Sequence, residues 1–125
     1  CDVLEYGEQC RRNGLSLLTG PGNDIVSCTN LAVSGASLIL FTTGRGTPLG
    51  AAVPTLKIST NSDLAKRKAN WIDFDAGKLL DGASFDELTD ELIEKIIRIA
   101  NGEEKTKNEL NGYREIAIFK DGVTL

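Results

Sequence analysis

Residues 14–44 read GLSLLTGPGNDIVSCTNLAVSGASLILFTTG. The stretch opens with GLSLL, residues 14–18, a short apolar run suited to a buried strand. TGPGND, residues 19–24, follows. Gly20, Pro21 and Gly22 make a turn, and Asn23 or Asp24 can cap the helix that comes next. Residues 25–34 read as a short helix, stopped by Gly35. SLILF, residues 37–41, is a second buried strand. Strand, glycine turn, helix and strand in that order form a βαβ unit. Such a unit implies a right-handed crossover and parallel pairing.

Working outward, TLKIST (residues 55–60) alternates and is β-branched, which predicts a third strand. Residues 62–68 predict a short helix. WIDF, residues 71–74, reads as a fourth strand or an extended edge. Ser84 and Glu87 have capping-box spacing, and Leu88, Leu92, Ile96 and Ile99 or Ala100 mark one helix face that ends at Gly102. Residues 103–110 are charged and read as helical, and Asn111-Gly112 is a turn signal. EIAIF, residues 115–119, predicts a last strand before a turn at Asp121-Gly122. The expected fold is α/β, a Rossmann-like three-layer arrangement. It has a mainly parallel sheet of about four or five strands with helices on both faces.

The chain has 125 residues, a length for a single domain, 1–125, with one core. It is 41% hydrophobic and 26% charged, as globular domains are. A net charge of -4 and a pI near 4.8 argue against nucleic acid as a partner, because phosphate binding needs a basic surface. They leave room for a small anion in a local positive pocket. The chain lacks Met and opens at Cys1, which reads as a fragment of a longer protein. Cys1, Cys10 and Cys28 are an odd count without metal spacing, and so few cysteines suggest a reducing, cytoplasmic setting. Histidine is absent, which removes the usual general base, the Ser–His and Cys–His dyads and the commonest zinc ligand. No apolar run approaches the ~18 residues of a membrane span, and no signal peptide is visible.

In parallel sheets ligands bind beyond the carboxyl ends of strands. TGPGND and TTGRGTPLG both follow predicted strands. A nucleotide loop is a poor reading of the second. Gly44-x-Gly46-x-x-x-Gly50 misses the dinucleotide spacing, Pro48 interrupts it, and the Walker GK with Ser or Thr is missing. TGPGND places an acid at the helix start, where a phosphate would bind. A small-anion loop fits better. Arg45 lies between glycines that allow close backbone approach, and its guanidinium matches a carboxylate bidentately. Thr42, Thr43 and Thr47 add hydroxyls. The competing reading is a surface loop with a solvated arginine. Lys57 is either a solvent-facing position of an alternating strand or a cation that stabilises an enolate or acts as a base. Asp73 and Asp75 share one strand face and could hold a hard metal ion, but their spacing better suits acids capping a helix near Gly77. Cys28 reads as packed on its helix.

These same motifs carry a resemblance. Residues 19–77, with FTTGRGTP, PTLKISTN and NWIDFDAG as a specific set, resemble the C-terminal part of the altronate/galactarate dehydratase family. NGYREIAIFKDGVTL resembles that family's carboxyl terminus, so the likeness covers nearly the whole chain. Galactarate dehydratase and the large subunit of sulfolactate sulfo-lyase share these elements more loosely, and the NWIDF form with GTP after the arginine favours the altronate branch.

The resemblance implies a hydro-lyase that converts D-altronate to 2-dehydro-3-deoxy-D-gluconate in hexuronate catabolism. It also implies dependence on Fe2+, with Mn2+ as a substitute. An N-terminal antifreeze-like module and a central region would precede this part and carry the histidines, leaving the fragment inactive alone. On the motif positions, Arg45 would bind the substrate carboxylate. Thr42, Thr43 and the Gly44 and Gly46 backbone would bind sugar-acid oxygens. Lys57 would be base or enolate stabiliser, supported by Asn61. Asp24 would ligate the metal or orient a hydroxyl, with Ser27 nearby; the remaining metal ligands are unassigned. The alternatives are galactarate or another sugar acid as substrate, or a non-catalytic sugar-acid-binding or assembly module. In that module the helix from Ser84 to Asn101 would pack a homo-oligomer.

Overall fold

The computed structural model describes residues 2–118. The elements run β1 (Asp2–Leu4), β2 (Ser16–Leu18), α1 (Asp24–Val33), β3 (Ile39–Thr43), β4 (Thr55–Ser59), α2 (Ser62–Arg67) and β5 (Phe74–Asp75). A 3-10 turn (Ala76–Leu79), α3 (Phe85–Ala100) and α4 (Lys107–Leu110) follow. The fold is α/β with parallel sheets, as the pattern of elements predicts. The expected single sheet of about four or five strands is not formed among the described residues: there is a three-stranded sheet in the order β3-β4-β5 and a separate two-stranded sheet of β1 and β2.

The expected pairing within the βαβ unit does not form. β2 pairs in parallel with β1, Asp2 opposite Ser16, and β3 pairs with β4, Phe41 opposite Lys57. A strand–helix–strand pattern sets the order of elements, while the edge that each strand takes depends on residues far away. β1 is too short a run to be read from sequence.

β4 is the central strand, and all of Thr55–Ser59 is buried. Both faces are covered. Leu56 and Ile58 join Phe74 and the α3 residues Leu88 and Ile99 in one core. The second core holds Cys28 of α1 with Ile39, Leu49 and Ala51. A parallel strand covered on both sides has no solvent face. This removes the solvent-facing reading of Lys57, which is 0% exposed.

The helix starts follow local chemistry, with one exchange. Asn23 caps α1 by accepting from the Val26 N–H at 3.3 Å, and Asp24 lies in the first turn. Ser84 occupies the N-cap of α3, but its side chain makes no cap bond, so the expected box with Glu87 is not formed. The capping box belongs to α4 instead. Glu109 Oε2 accepts from the Thr106 N–H at 2.8 Å, and Thr106 Oγ1 accepts from the Glu109 N–H at 3.4 Å. Thr106 therefore starts the helix, and the span expected over 103–110 shrinks to Lys107–Leu110.

WIDF contributes only Phe74 to a strand. Residues 113–118 form no ladder among the described residues. They lie across the domain, with Glu115 N–H donating to the Gly50 carbonyl (2.7 Å) and Ala117 N–H to Thr29 Oγ1 (3.0 Å). Phe119 and the Asp121-Gly122 turn fall outside the described residues. Among the described residues no helix is long and apolar enough to cross a membrane.

Candidate active site

The strand ends bring two cationic residues to one loop. β3 and β4 run side by side in parallel, so Thr43 stands opposite Ser59 and the chain leaves β3 as Gly44-Arg45-Gly46-Thr47. Thr43 Oγ1 accepts from the Gly46 N–H at 2.9 Å and closes the turn. Gly46 has φ +77, and a Cβ there would lie 2.9 Å from Leu64 Cδ1. The positive φ requires glycine here, and a side chain would also have to push aside the end of Leu64. Asn61 holds the other side. Its Oδ1 caps α2 by accepting from the Leu64 N–H at 2.9 Å, and its Nδ2 donates to the Gly44 carbonyl at 3.1 Å. One side chain therefore anchors both the loop and a helix. Asn61→Ala is expected to cost about 1 kcal/mol through the lost cap and to loosen the arginine loop. Thermal unfolding of the full-length protein would read the first effect, and KM for the substrate the second.

Arg45 sits exposed at the tip and forms no ion pair among the described residues. Lys57 lies beneath the same loop, fully buried, with Nζ donating to the Thr47 carbonyl. Burial pulls its ammonium down to about 8, against smaller opposing effects of Asp73, Glu115 and Cys28. An amine with that affinity is neutral often enough near neutral pH to accept a proton. Burial also pushes the Cys28 thiol up, helped by Asp24, so Cys28 is a packed thiol and not a reactive one.

The TGPGND turn is tied to its own helix. Ser27 Oγ donates to the Pro21 carbonyl, and Asn30, almost fully buried, donates to the Thr19 carbonyl at 2.9 Å and accepts from the Gly7 N–H at 2.8 Å. Asp24 is exposed in the first turn of α1. No described hydrogen bond joins this turn to the arginine loop. Thr42 and Thr43 are neighbours on a strand and so face opposite sides of the sheet. Thr43 lies on the side of Lys57. Thr43, Gly44, Arg45, Gly46, Lys57 and Asn61 are joined at this loop, while the side chains of Thr42, Asp24 and Ser27 make no described hydrogen bond to it.

Asp75 accepts from the Gly77 N–H at 2.9 Å and caps the 3-10 turn, as its spacing suggested. Asp73 is different, for its two oxygens accept backbone N–H groups of Lys57 and Lys107. Its role, like that of the Thr47 carbonyl, left no local signal in the sequence. Among the described residues no group of three His, Cys, Asp or Glu side chains could hold a metal ion. The described donors therefore do not fit a complete iron site.

This is a parallel α/β domain in which the loop that carries an exposed arginine also bonds a buried lysine amine. The chain belongs to the family described as D-galactarate/altronate dehydratase, C-terminal, which it matches over residues 1–124. It is 55% identical to altronate dehydratase of Escherichia coli (strain K12) and 47% identical to that of Bacillus subtilis (strain 168), over 99% of this chain in each case. It is 35% identical to galactarate dehydratase (L-threo-forming) of Escherichia coli (strain K12), over 94% of this chain. The chain spans about a quarter of the length of the curated relatives it matches, 25% for the two altronate dehydratases and 23% for the galactarate dehydratase.

Proposed function

We propose that this domain is the C-terminal part of a hydro-lyase that dehydrates D-altronate to 2-dehydro-3-deoxy-D-gluconate. The observation that carries the reading is the bond between the buried Lys57 amine and the loop that presents Arg45. Arg45 would hold the substrate carboxylate. Neutral Lys57 would take the C2 proton. The C–H electron pair becomes the C2–C3 double bond, the C3–O bond breaks, and the hydroxyl leaves as water with a proton. The enol then becomes the 2-ketone. Thr43 and the Gly44 and Gly46 backbone would bind the sugar-acid oxygens, and Asn61 would keep the loop in place.

Nζ is buried against the Thr47 carbonyl, so this carbonyl would have to move for Lys57 to meet substrate. Arg45 lies in that same loop. Carboxylate capture and release of the lysine are therefore mechanically linked.

The full-length protein is proposed to use Fe2+, with Mn2+ as a substitute, to polarise carboxylate and hydroxyl as a Lewis acid. Its ligands would come chiefly from preceding antifreeze-like and central regions, which is why the isolated domain is expected to be inactive. A cytoplasmic location is part of the same reading. A second role in assembly is favoured by one observation: Phe85, Ile93 and Ile97 of α3 are exposed at 70%, 48% and 52%.

The test is turnover by the full-length protein, anaerobic with iron(II), on D-altronate, galactarate and sulfolactate. The 2-keto-3-deoxy product is measured, or sulfite for the last. Turnover of altronate alone is expected. Turnover of galactarate instead would move the substrate and keep the mechanism. A folded, iron-loaded protein without turnover would leave the non-catalytic binding module as the reading. Arg45→Ala is expected to lower kcat/KM about 100-fold, the scale of a lost charge-assisted pair. Unchanged catalytic efficiency would show that the carboxylate is held elsewhere.

A further inference from the structure

We propose that Asp73 is a positioning residue for Lys57: its carboxylate replaces a missing strand partner and sets a negative charge at the backbone of the buried lysine. The inference rests on Lys57 as the proton acceptor. β5 begins at Phe74, opposite Ile58, so the place opposite Lys57 falls to Asp73, just before the ladder starts. The Lys57 N–H would otherwise lack a partner inside a buried strand. Asp73 Oδ2 accepts it at 2.8 Å, and the Asp73 N–H donates back to the Lys57 carbonyl at 2.9 Å. The other oxygen, Oδ1, accepts from the Lys107 N–H at 2.8 Å, so one carboxylate ties β4 to α4 at the level of Lys57.

The charges around this pair are few. Lys57 is faced by Asp73, by Glu115 of the segment crossing the domain and by Cys28 of α1. Asp73 is faced by Lys95 of α3 and by Lys107. Burial raises the Asp73 carboxyl, and the two backbone donors oppose that rise. Asparagine at this place keeps the size, offers one acceptor for two N–H groups, and removes the anion. With less negative charge nearby, the amine gives up its proton at lower pH. A base that must be neutral gains activity as pH rises through its pKa, so that limb of the profile moves to lower pH.

The experiment is the pH profile of kcat/KM for full-length Asp73→Asn, Asp73→Glu and Lys57→Met. In Asp73→Asn the limb is expected to move down by about one pH unit, with a plateau lowered about 10-fold. In Asp73→Glu, which keeps the charge and misplaces it, the limb is expected near its wild-type position with a lowered plateau. If Asp73→Asn does not fold, the glutamate variant decides, and a wild-type plateau there overturns the inference. Loss of thermal stability with an unmoved limb in Asp73→Asn also overturns it, because that is a purely structural role. Lost turnover in Lys57→Met with an unmoved Asp73→Asn limb sinks the inference alone. Retained turnover in Lys57→Met overturns the reading of Lys57 and this inference with it.

Discussion

Lys57→Met is expected to cut turnover of the full-length protein by orders of magnitude while raising its stability near neutral pH. The two effects have one cause. Lys57 is 0% exposed, and its ammonium is pulled down to about 8 from 10.5 by burial. Below pH 8 the folded chain buries a charge, and the unfolded chain carries the same charge in water at no such cost. Between pH 8 and 10.5 the unfolded state still binds the proton and the folded state does not, so stability rises with pH through that window. The cost present below the window is about 3 kcal/mol. Methionine keeps much of the volume and removes the charge. It also loses the bond to the Thr47 carbonyl, so the net gain at pH 6.5 is expected to be about 1–3 kcal/mol.

That gain should shrink toward zero by pH 10, where wild type no longer buries a charge. Loss of a general base is expected to lower kcat/KM about 10²- to 10⁴-fold. Thermal unfolding at the two pH values and steady-state turnover would read both effects. A Lys57→Met protein that keeps its activity would mean that the lysine is not the base, and one less stable at pH 6.5 would mean that the buried amine stabilises the fold.

Gly77→Ala is expected to cost more than about 4 kcal/mol, among the largest single-residue effects that a domain shows. A Cβ at Gly77 would lie 2.2 Å from the Ser62 nitrogen and 2.5 Å from Asn61 Cα and C. These are backbone atoms at the start of α2, and they cannot rotate aside. The displaced residue is Asn61, the side chain that holds both the α2 cap and the Gly44 carbonyl. Activity should therefore fall even in whatever fraction remains folded. Gly22→Ala is the comparison, since nothing lies within 4 Å of its Cβ position and its φ is not positive. Yield and thermal unfolding of the two full-length variants measure the difference. Equal stabilities would show that the α2 start yields without strain.

The elements that local chemistry dictates were legible. α1 begins at an asparagine cap after a glycine-proline turn, and the amphipathic face of α3 buries Leu88 and Ile99. The GRG loop was also legible, because glycines around an arginine at a strand end restrict what the backbone and side chain can do. The α4 capping box was written in Thr106 and Glu109, yet the charged residues before it hid the start. The roles of Asp73 and the Thr47 carbonyl could not be read from sequence: both lie in the quoted motifs, yet each acts on a residue at least ten positions away.

By itself, the sequence determined the kinds of element, their order, the α/β class and the family. Each of these rests on short-range patterns or on matched motifs. Only the tertiary structure decided that β2 pairs with β1 and not β3, and that Lys57 is sealed between two covered faces. Strand partners and burial are set by packing between distant segments, and an alternating run such as TLKIST looks the same at the edge of a sheet as at its centre.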